Sequence, residues 1–117
     1  PKATDEEKAA RKQAIQEATK FAIEIPFKVM QLSYESMTLV KAMADIGNPN
    51  SVSDAGVGAL CARSAVMGAF MNVRINAGGY DDKIFVKGII AKGKDIENKT
   101  IALEAEILKI VNEKIGL

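Results

Sequence analysis

Residues 52–76 read VSDAGVGALCARSAVMGAFMNVRIN, and this stretch decides how the chain folds. Small side chains would cover nearly every face of a helix formed by it, and three glycines lie inside it. A glycine within a helix costs about 1 kcal/mol relative to alanine. Three of them therefore indicate close backbone approach by neighbouring helices or by a flat ligand. We predict that this stretch forms the central helix of the assembly.

Both flanks of the central helix carry signals for helix ends. Gly47 predicts the left-handed C-cap of a preceding helix, and the Asn-Pro-Asn that follows cannot continue that helix. Ser51 and Asp54 have the spacing of a capping box, which predicts that the central helix begins there. Ala-Gly-Gly at residues 77–79 predicts its end.

Before the central helix, apolar residues at helical spacing predict one long helix or two abutting ones. Thr4 and Glu7 have capping-box spacing for its start, and the 3.6-residue rhythm continues nearly to Ile46. Pro26 predicts a kink near residues 22–26, because proline lacks a backbone donor and clashes with the preceding turn. The positions in this rhythm are Ala14, Ala18, Ala22, Ile25, Val29, Leu32, Ser36, Val40 and Met43.

A third helix is predicted to begin at a cap formed by Asp81 or Asp82 and to run to about Lys114. No segment has the pattern of a strand, a repeat or a flexible linker. The sequence thus predicts an all-α fold, with residues 1–117 forming a single domain of long, kinked helices in an elongated bundle. Three such helices leave apolar surface uncovered, so we expect a partner subunit or further helices to cover it, in a homodimer or higher oligomer.

The composition excludes several classes of function. The 16 basic and 15 acidic residues give a formal charge of +1, which offers no electrostatic case for nucleic acid or an anionic membrane. The chain has no histidine, so Ser–His and Cys–His catalysis and most zinc chemistry are excluded. Cys61, the single cysteine, is expected to be buried. With no signal peptide or transmembrane run recognised, a reducing, cytoplasmic location fits best.

Polar residues cluster at both ends of the central helix. Asn72 and Asn76 are four residues apart and share one helix face, whereas Arg74 points elsewhere. The two amides either contact the edge of a heterocycle or bond to neighbouring loops, with Asn76 helping to end the helix. Asp54 is either a helix cap or a general base, because the free amides of a first turn favour an ionised carboxylate. Ser53 either orients a ligand or is a local cap.

Two motifs resemble a known family. Residues 47–57, GNPNSVSDAGV, and residues 72–76, NVRIN, are similar to signatures of the formimidoyltetrahydrofolate cyclodeaminase and methenyltetrahydrofolate cyclohydrolase family. The resemblance extends over nearly the whole chain, including residues 11–26. The Gly- and Ala-rich segment that usually begins these proteins has no counterpart here. We therefore expect the chain to be the C-terminal portion of a cyclodeaminase-like domain, whose folate site lies in a cleft between helices at a dimer interface.

The resemblance implies one-carbon chemistry on a tetrahydrofolate derivative. In the cyclodeaminase reaction 5-formiminotetrahydrofolate closes to 5,10-methenyltetrahydrofolate and releases ammonia; in the cyclohydrolase reaction water opens or closes the same bridge. Both need proton transfer at nitrogen, without a metal or redox cofactor. Asp54 is the predicted proton carrier, with Asp81 or Asp82 as a second choice.

The residues predicted to bind the substrate are Asn48, Asn50, Ser53, Asn72, Arg74 and Asn76. Among them, the two amides of the central helix would orient the pterin, and Arg74 or a lysine would contact the glutamate tail. The alternative prediction is a catalytically silent helical bundle that serves self-association or holds a partner.

Overall fold

The computed structural model describes residues 1–117 as three long helices joined by short turns. They are α1 (Asp5–Ile46), α2 (Val52–Ala77) and α3 (Lys83–Ile115), with a 3₁₀ turn at Pro49–Ser51. The array measures 69 × 22 × 19 Å and contains no strand. The helix α2 packs against both other helices more extensively than they pack against each other. The predictions of an all-α, elongated fold and of a central second helix are confirmed.

Two helix starts follow their sequence signals. Thr4 accepts a hydrogen bond from the Glu7 backbone amide at 3.1 Å, and the Glu7 carboxylate accepts one from the Thr4 amide, so the predicted capping box forms. Asp82 accepts hydrogen bonds from two amides in the first turn of α3. The cap of α3 is therefore Asp82 and not Asp81, and these bonds orient the first turn of the helix.

The end of α1 differs from its prediction. Gly47 is not left-handed: its φ of −73° and ψ of −179° are extended, because the chain leads directly into the 3₁₀ turn. Lys114 on α3 supplies the capping instead, since its Nζ donates to the Ala44 and Asp45 carbonyl oxygens, both at 2.6 Å. A Cβ at Gly47 would collide with the backbone oxygen of Met43, which explains the glycine without a positive φ.

The predicted capping box at the start of α2 is also wrong. The Ser51 side chain makes no capping hydrogen bond, because Ser51 is the last residue of the 3₁₀ turn. Asn48 caps that turn, and its side-chain oxygen accepts a hydrogen bond from the Asn50 amide at 3.0 Å. The helix itself begins at Val52 as predicted and ends at Ala77, one residue later than predicted.

Two apolar stripes run along α1, which continues through Pro26 as one helix. The buried stripe has a spacing of seven residues and packs against α2 and α3; its members are Ile23, Met30, Met37 and Ala44. The second, which we call the outer stripe, is 42–86% exposed; its members are Ile25, Val29, Leu32, Leu39, Met43 and Ile46. Much of the apolar rhythm that identifies α1 in the sequence belongs to the outer stripe. The surplus apolar surface expected from the sequence is therefore present on this face.

A polar layer divides the core into two clusters. One cluster surrounds Ile23 and Phe70, and the other surrounds Met37 and Ile107. Between them Arg63 of α2 pairs with Glu104 of α3, with 2.7 Å between Nη1 and Oε1. The Glu104 side chain is 6% exposed and that of Arg63 is 37% exposed, so this pair joins α2 to α3 at the edge of the interior.

The small residues of α2 and α3 allow close packing at particular positions. A Cβ added at Gly56 would lie 3.2 Å from the Val111 side chain, and one added at Gly93 would collide with the Phe70 ring. A Cβ at Gly68 would meet nothing within 4 Å. The predicted close approach is therefore confirmed at Gly56, whereas Gly68 faces open space.

By length and composition α2 also resembles a membrane-spanning helix, although no transmembrane run was recognised in the sequence. The segment Pro49–Ala77 has a mean hydropathy of 1.3 over its most apolar window, and 33% of that window is buried in the chain. Core helices of globular proteins have the same character, and α2 packs between α1 and α3. This packing explains part of its apolar composition.

Candidate functional site in the groove between α1 and α2

An open groove of about 550 Å³ lies between α1 and the second half of α2. Its side from α2 is built from small and amide side chains, so a ligand can approach the α2 backbone closely. The lining residues are Ala22, Ile25, Pro26 and Val29 from α1, and Ser64, Ala65, Gly68, Ala69, Asn72 and Asn76 from α2. Such a mostly apolar surface with two amides suits a flat heterocycle.

Asn76 is bonded to the α1 backbone across this groove. Its Nδ2 donates to the Ala22 carbonyl oxygen at 2.9 Å. In a regular helix that oxygen would accept from the amide four residues later, but residue 26 is proline and has no N–H. Asn76 therefore supplies the donor that Pro26 lacks. This contact was not among the sequence-based alternatives, which placed the Asn76 bond in a loop or at the helix end.

Asn72 lines the same groove one turn earlier, as its predicted face requires. Its side chain is exposed and makes no hydrogen bond within the chain, so both its donor and its acceptor are free. Arg74 points away as predicted, and its guanidinium lies 4.8 Å from the centre of the Phe70 ring. Arg74 does not line the groove, and its contact with a glutamate tail stays a prediction.

The remaining predicted site residues lie at the other end of α2. Asp54 is exposed in the first turn, with no hydrogen bond or ion pair, and Ser53 beside it is exposed as well. Asn48 and Asn50 belong to the preceding turn. Asp54 precedes Asn72 by 18 residues, or about 27 Å along a helix that rises about 1.5 Å per residue. One chain therefore does not bring the predicted acid and the groove together.

No ionisable side chain lines the groove. Asp82 is occupied as the cap of α3, and Asp81 forms an exposed ion pair with Lys12 at 3.5 Å. The hydrogen bond and the charge of Glu106 raise the pKa of Lys41, but this pair joins α1 to α3 elsewhere on the molecule. The groove of one chain thus offers hydrogen bonds and apolar contact, without a group that transfers protons near neutral pH.

No group of three acidic or cysteine side chains is placed to hold a metal ion. The prediction that Cys61 is buried is wrong, since the residue is exposed. Cys61 lies on the same face of α2 as Val57 and Leu60, which packs against neither α1 nor α3. That face continues the uncovered apolar surface of the molecule.

The α1 side of the groove was not predicted as part of a site. In the sequence Pro26 indicated only a kink, and Ile25 and Val29 only a helical rhythm. The available signal was the proline itself. A proline inside a helix frees the carbonyl four residues earlier, and that carbonyl needs a donor from elsewhere in the fold.

Comparison with known proteins agrees with the two motifs. Residues 1–95 match the formiminotransferase-cyclodeaminase family. The methenyltetrahydrofolate cyclohydrolase of Methylorubrum extorquens is 38% identical over 116 residues, covering 99% of this chain and 56% of that protein. The formimidoyltransferase-cyclodeaminases of Gallus gallus and Rattus norvegicus are 36% and 33% identical over 85 residues, covering 73% of this chain and 16% of each protein.

The chain belongs to the formiminotransferase-cyclodeaminase family, and the resemblance identified from its motifs is confirmed. It spans about half the length of the cyclohydrolase that it matches and a smaller part of the bifunctional relatives.

Proposed function

We propose that this chain forms part of an enzyme of one-carbon metabolism that acts on a tetrahydrofolate derivative, with the pterin bound in the groove between α1 and α2. The groove is the main observation in support of this proposal. Asn72 and Asn76 of the second family motif line it, beside small side chains that leave room for a flat ring. Asn72 has a free amide that can donate to and accept from the edge of a heterocycle.

We favour the cyclohydrolase reaction on 5,10-methenyltetrahydrofolate. The relative that matches 99% of this chain carries that name, whereas the cyclodeaminases match 73% to 86% of it. In this reaction water adds to the bridging carbon and loses a proton to a base. The hydroxyl group formed on that carbon then loses its proton and becomes a formyl carbonyl as one carbon–nitrogen bond breaks, and the released nitrogen takes up a proton. The cyclodeaminase reaction, with ammonia as the leaving group, remains the alternative within the family.

Asp54 is the base in this proposal, and it acts on the groove of a second copy. An isologous two-fold pairing of α2 helices places residue i beside residue j in both directions. An antiparallel pairing would bring the Asp54 end of one α2 to the groove end of the other. Exposed apolar residues along α2 offer the contact surface: Val57, Leu60, Met71 and Ile75. The proposed assembly is therefore a homodimer, and no metal or redox cofactor takes part. Its cytoplasmic location stays a prediction.

The test uses the full-length protein with two substrates in parallel. Loss of the methenyl absorbance of 5,10-methenyltetrahydrofolate measures cyclohydrolase turnover, and ammonia release from 5-formiminotetrahydrofolate measures cyclodeaminase turnover. Turnover of the first alone supports the favoured reaction, and turnover of the second alone selects the alternative. If neither substrate reacts and neither binds, the proposed function is wrong.

The second candidate is a silent assembly module. The exposed outer stripe of α1 supports it, because uncovered apolar surface of this extent serves association as well as it serves an enzyme. Folate binding distinguishes the two candidates. A pure assembly module has no saturable affinity for a folate analogue in equilibrium titration, whereas the proposed enzyme does.

A further inference from the structure

We infer that Asn76 is a positioning residue, which acts on the groove by completing the α1 backbone at Pro26 and not by donating to the ligand. A proline ring displaces the carbonyl four residues earlier as well as depriving it of a donor. In α1 that carbonyl belongs to Ala22, and both Ala22 and Pro26 line the groove. The shape of the groove therefore depends on what holds this displaced carbonyl.

Asn76 holds it from the opposite helix. The bond from Asn76 Nδ2 to the Ala22 oxygen is the only hydrogen bond that joins α1 to α2. Gln16 of α1 also donates to the Gly79 carbonyl oxygen and accepts from the Asp81 amide in the turn after α2, but neither bond involves Ala22 or Pro26. A single directional bond beside the proline fixes the spacing of the two sides of the groove at that point.

This bond also restricts what Asn76 offers to a ligand. Its donor group is directed at Ala22, and its Oδ1 accepts no hydrogen bond from the protein. The Asn72 side chain, one turn away, makes no hydrogen bond within the chain. The two amides are therefore not equivalent: Asn72 is free to donate to a ligand, and Asn76 keeps the groove in shape.

Replacing the proline tests the pair directly. Pro26→Ala returns a backbone N–H, so the Ala22 oxygen regains its partner within α1 and no longer needs Asn76. The experiment introduces Asn76→Ala into the full-length protein with Pro26 intact and into the Pro26→Ala variant, with melting temperature as the readout. We expect a loss of about 3–8 °C when Pro26 is intact and less than half of that in the Pro26→Ala variant.

The matched control is Asn72→Ala, the same change one turn away on the same face. Its effect on the melting temperature should be equal in the two backgrounds, because Asn72 has no partner on α1. Equal losses for Asn76→Ala in both backgrounds would overturn the inference. Should Asn76→Ala fail to fold, Asn76→Ser replaces it in the same comparison and is judged by the same outcomes.

A kinetic readout separates positioning from general stability, and this part rests on the proposed function. Asn76→Ala should raise KM about tenfold with little change in kcat, and Pro26→Ala should reduce that factor to below about twofold. A KM penalty that is the same in both backgrounds would mean that Asn76 contacts the ligand directly. The thermal comparison needs no substrate, so it still decides the structural pairing if the proposed function fails.

Discussion

The two ends of α2 carry polar residues from the two family motifs, but only at the C-terminal end does one of these side chains bond to α1. At the start, Ser53 and Asp54 are exposed and bond to nothing in the chain. At the end, Asn76 bonds to α1 and Asn72 lines a groove. One end has a carboxylate without a groove, and the other has a groove without an ionisable group.

This difference is the reason for proposing that a complete site needs more than one copy of the chain. Asp54 and Asn72 lie about 27 Å apart along one continuous helix. Residues that share a chemical task must then meet across two copies or through additional polypeptide. The exposed apolar faces of α1 and α2 offer contact surface for the proposed second copy.

The largest effect is expected from removing the carboxylate at the start of α2, which we call the acid end; the end that lines the groove is the groove end. Asp54→Asn should lower kcat about 10²- to 10⁴-fold while KM stays within a few-fold, because the change removes a base and keeps the size of the side chain. The control is Asp81→Asn, which removes an exposed carboxylate close to the groove end and should leave kcat within about twofold. Steady-state turnover of 5,10-methenyltetrahydrofolate measures both. Asp54→Asn with near wild-type turnover would contradict the assignment.

A smaller effect is expected when a methyl group is added at a tightly packed glycine near each end of α2. Gly93→Ala should destabilise the fold by about 1–3 kcal/mol, because its methyl group would collide with the Phe70 ring below the groove end. Gly56→Ala at the acid end should cost less than about 1 kcal/mol, since only the Val111 methyl groups need to move. Denaturant unfolding of the two variants gives the comparison. Equal costs would show that the groove end is not the more tightly packed one.

A large side chain in the groove changes the groove end of α2 and leaves the acid end as it is. Gly68→Leu should weaken folate binding at least about tenfold, because a side chain there extends into unoccupied space that a ligand would use. Gly88→Leu on α3 is the control, since its side chain would also enter open space but outside this groove. Isothermal titration with a folate analogue measures both. Unchanged affinity of the Gly68 variant would place the ligand elsewhere.

The smallest effect is expected at the turn between α1 and α2, which directly precedes the acid end. Lys114→Met should cost about 1 kcal/mol of stability, because the last carbonyl groups of α1 lose their charged donor. Lys109→Met, which removes a lysine from the same helix without such a contact, should cost less. Thermal unfolding of the two variants checks this order. A reversed order would mean that Lys114 does not hold the turn.

Local signals in the sequence predicted the helices well. Thr4 with Glu7 and Asp82 are caps that act within one turn, so spacing alone identifies them. The prediction for Ser51 was wrong because that residue ends a 3₁₀ turn. The prediction for Gly47 was wrong because the end of α1 is capped by Lys114, which is about 70 residues away in the sequence. A local pattern contains no information about such a partner.

The site was predicted in part for the same reason. The shared face of Asn72 and Asn76 follows from helix geometry, and the structure places both in one groove. The partner of Asn76 is a backbone carbonyl 54 positions earlier, which only the tertiary fold selects. Cys61 was expected inside because its neighbours are apolar, but that face of α2 is not covered by this chain.

A mixing experiment tests directly whether the groove of one copy and Asp54 of another form one site. Asp54→Asn and Gly68→Leu proteins are prepared separately, then dissociated together in equal amounts and reassembled. Turnover is measured at a substrate concentration far below the KM of the Gly68→Leu protein, so that both separate proteins are nearly inactive. Random two-fold pairing creates one intact site in about half of the dimers, so we expect turnover to rise to about a quarter of the wild-type value. Mixed dimers that show no gain over the two separate proteins would contradict the claim.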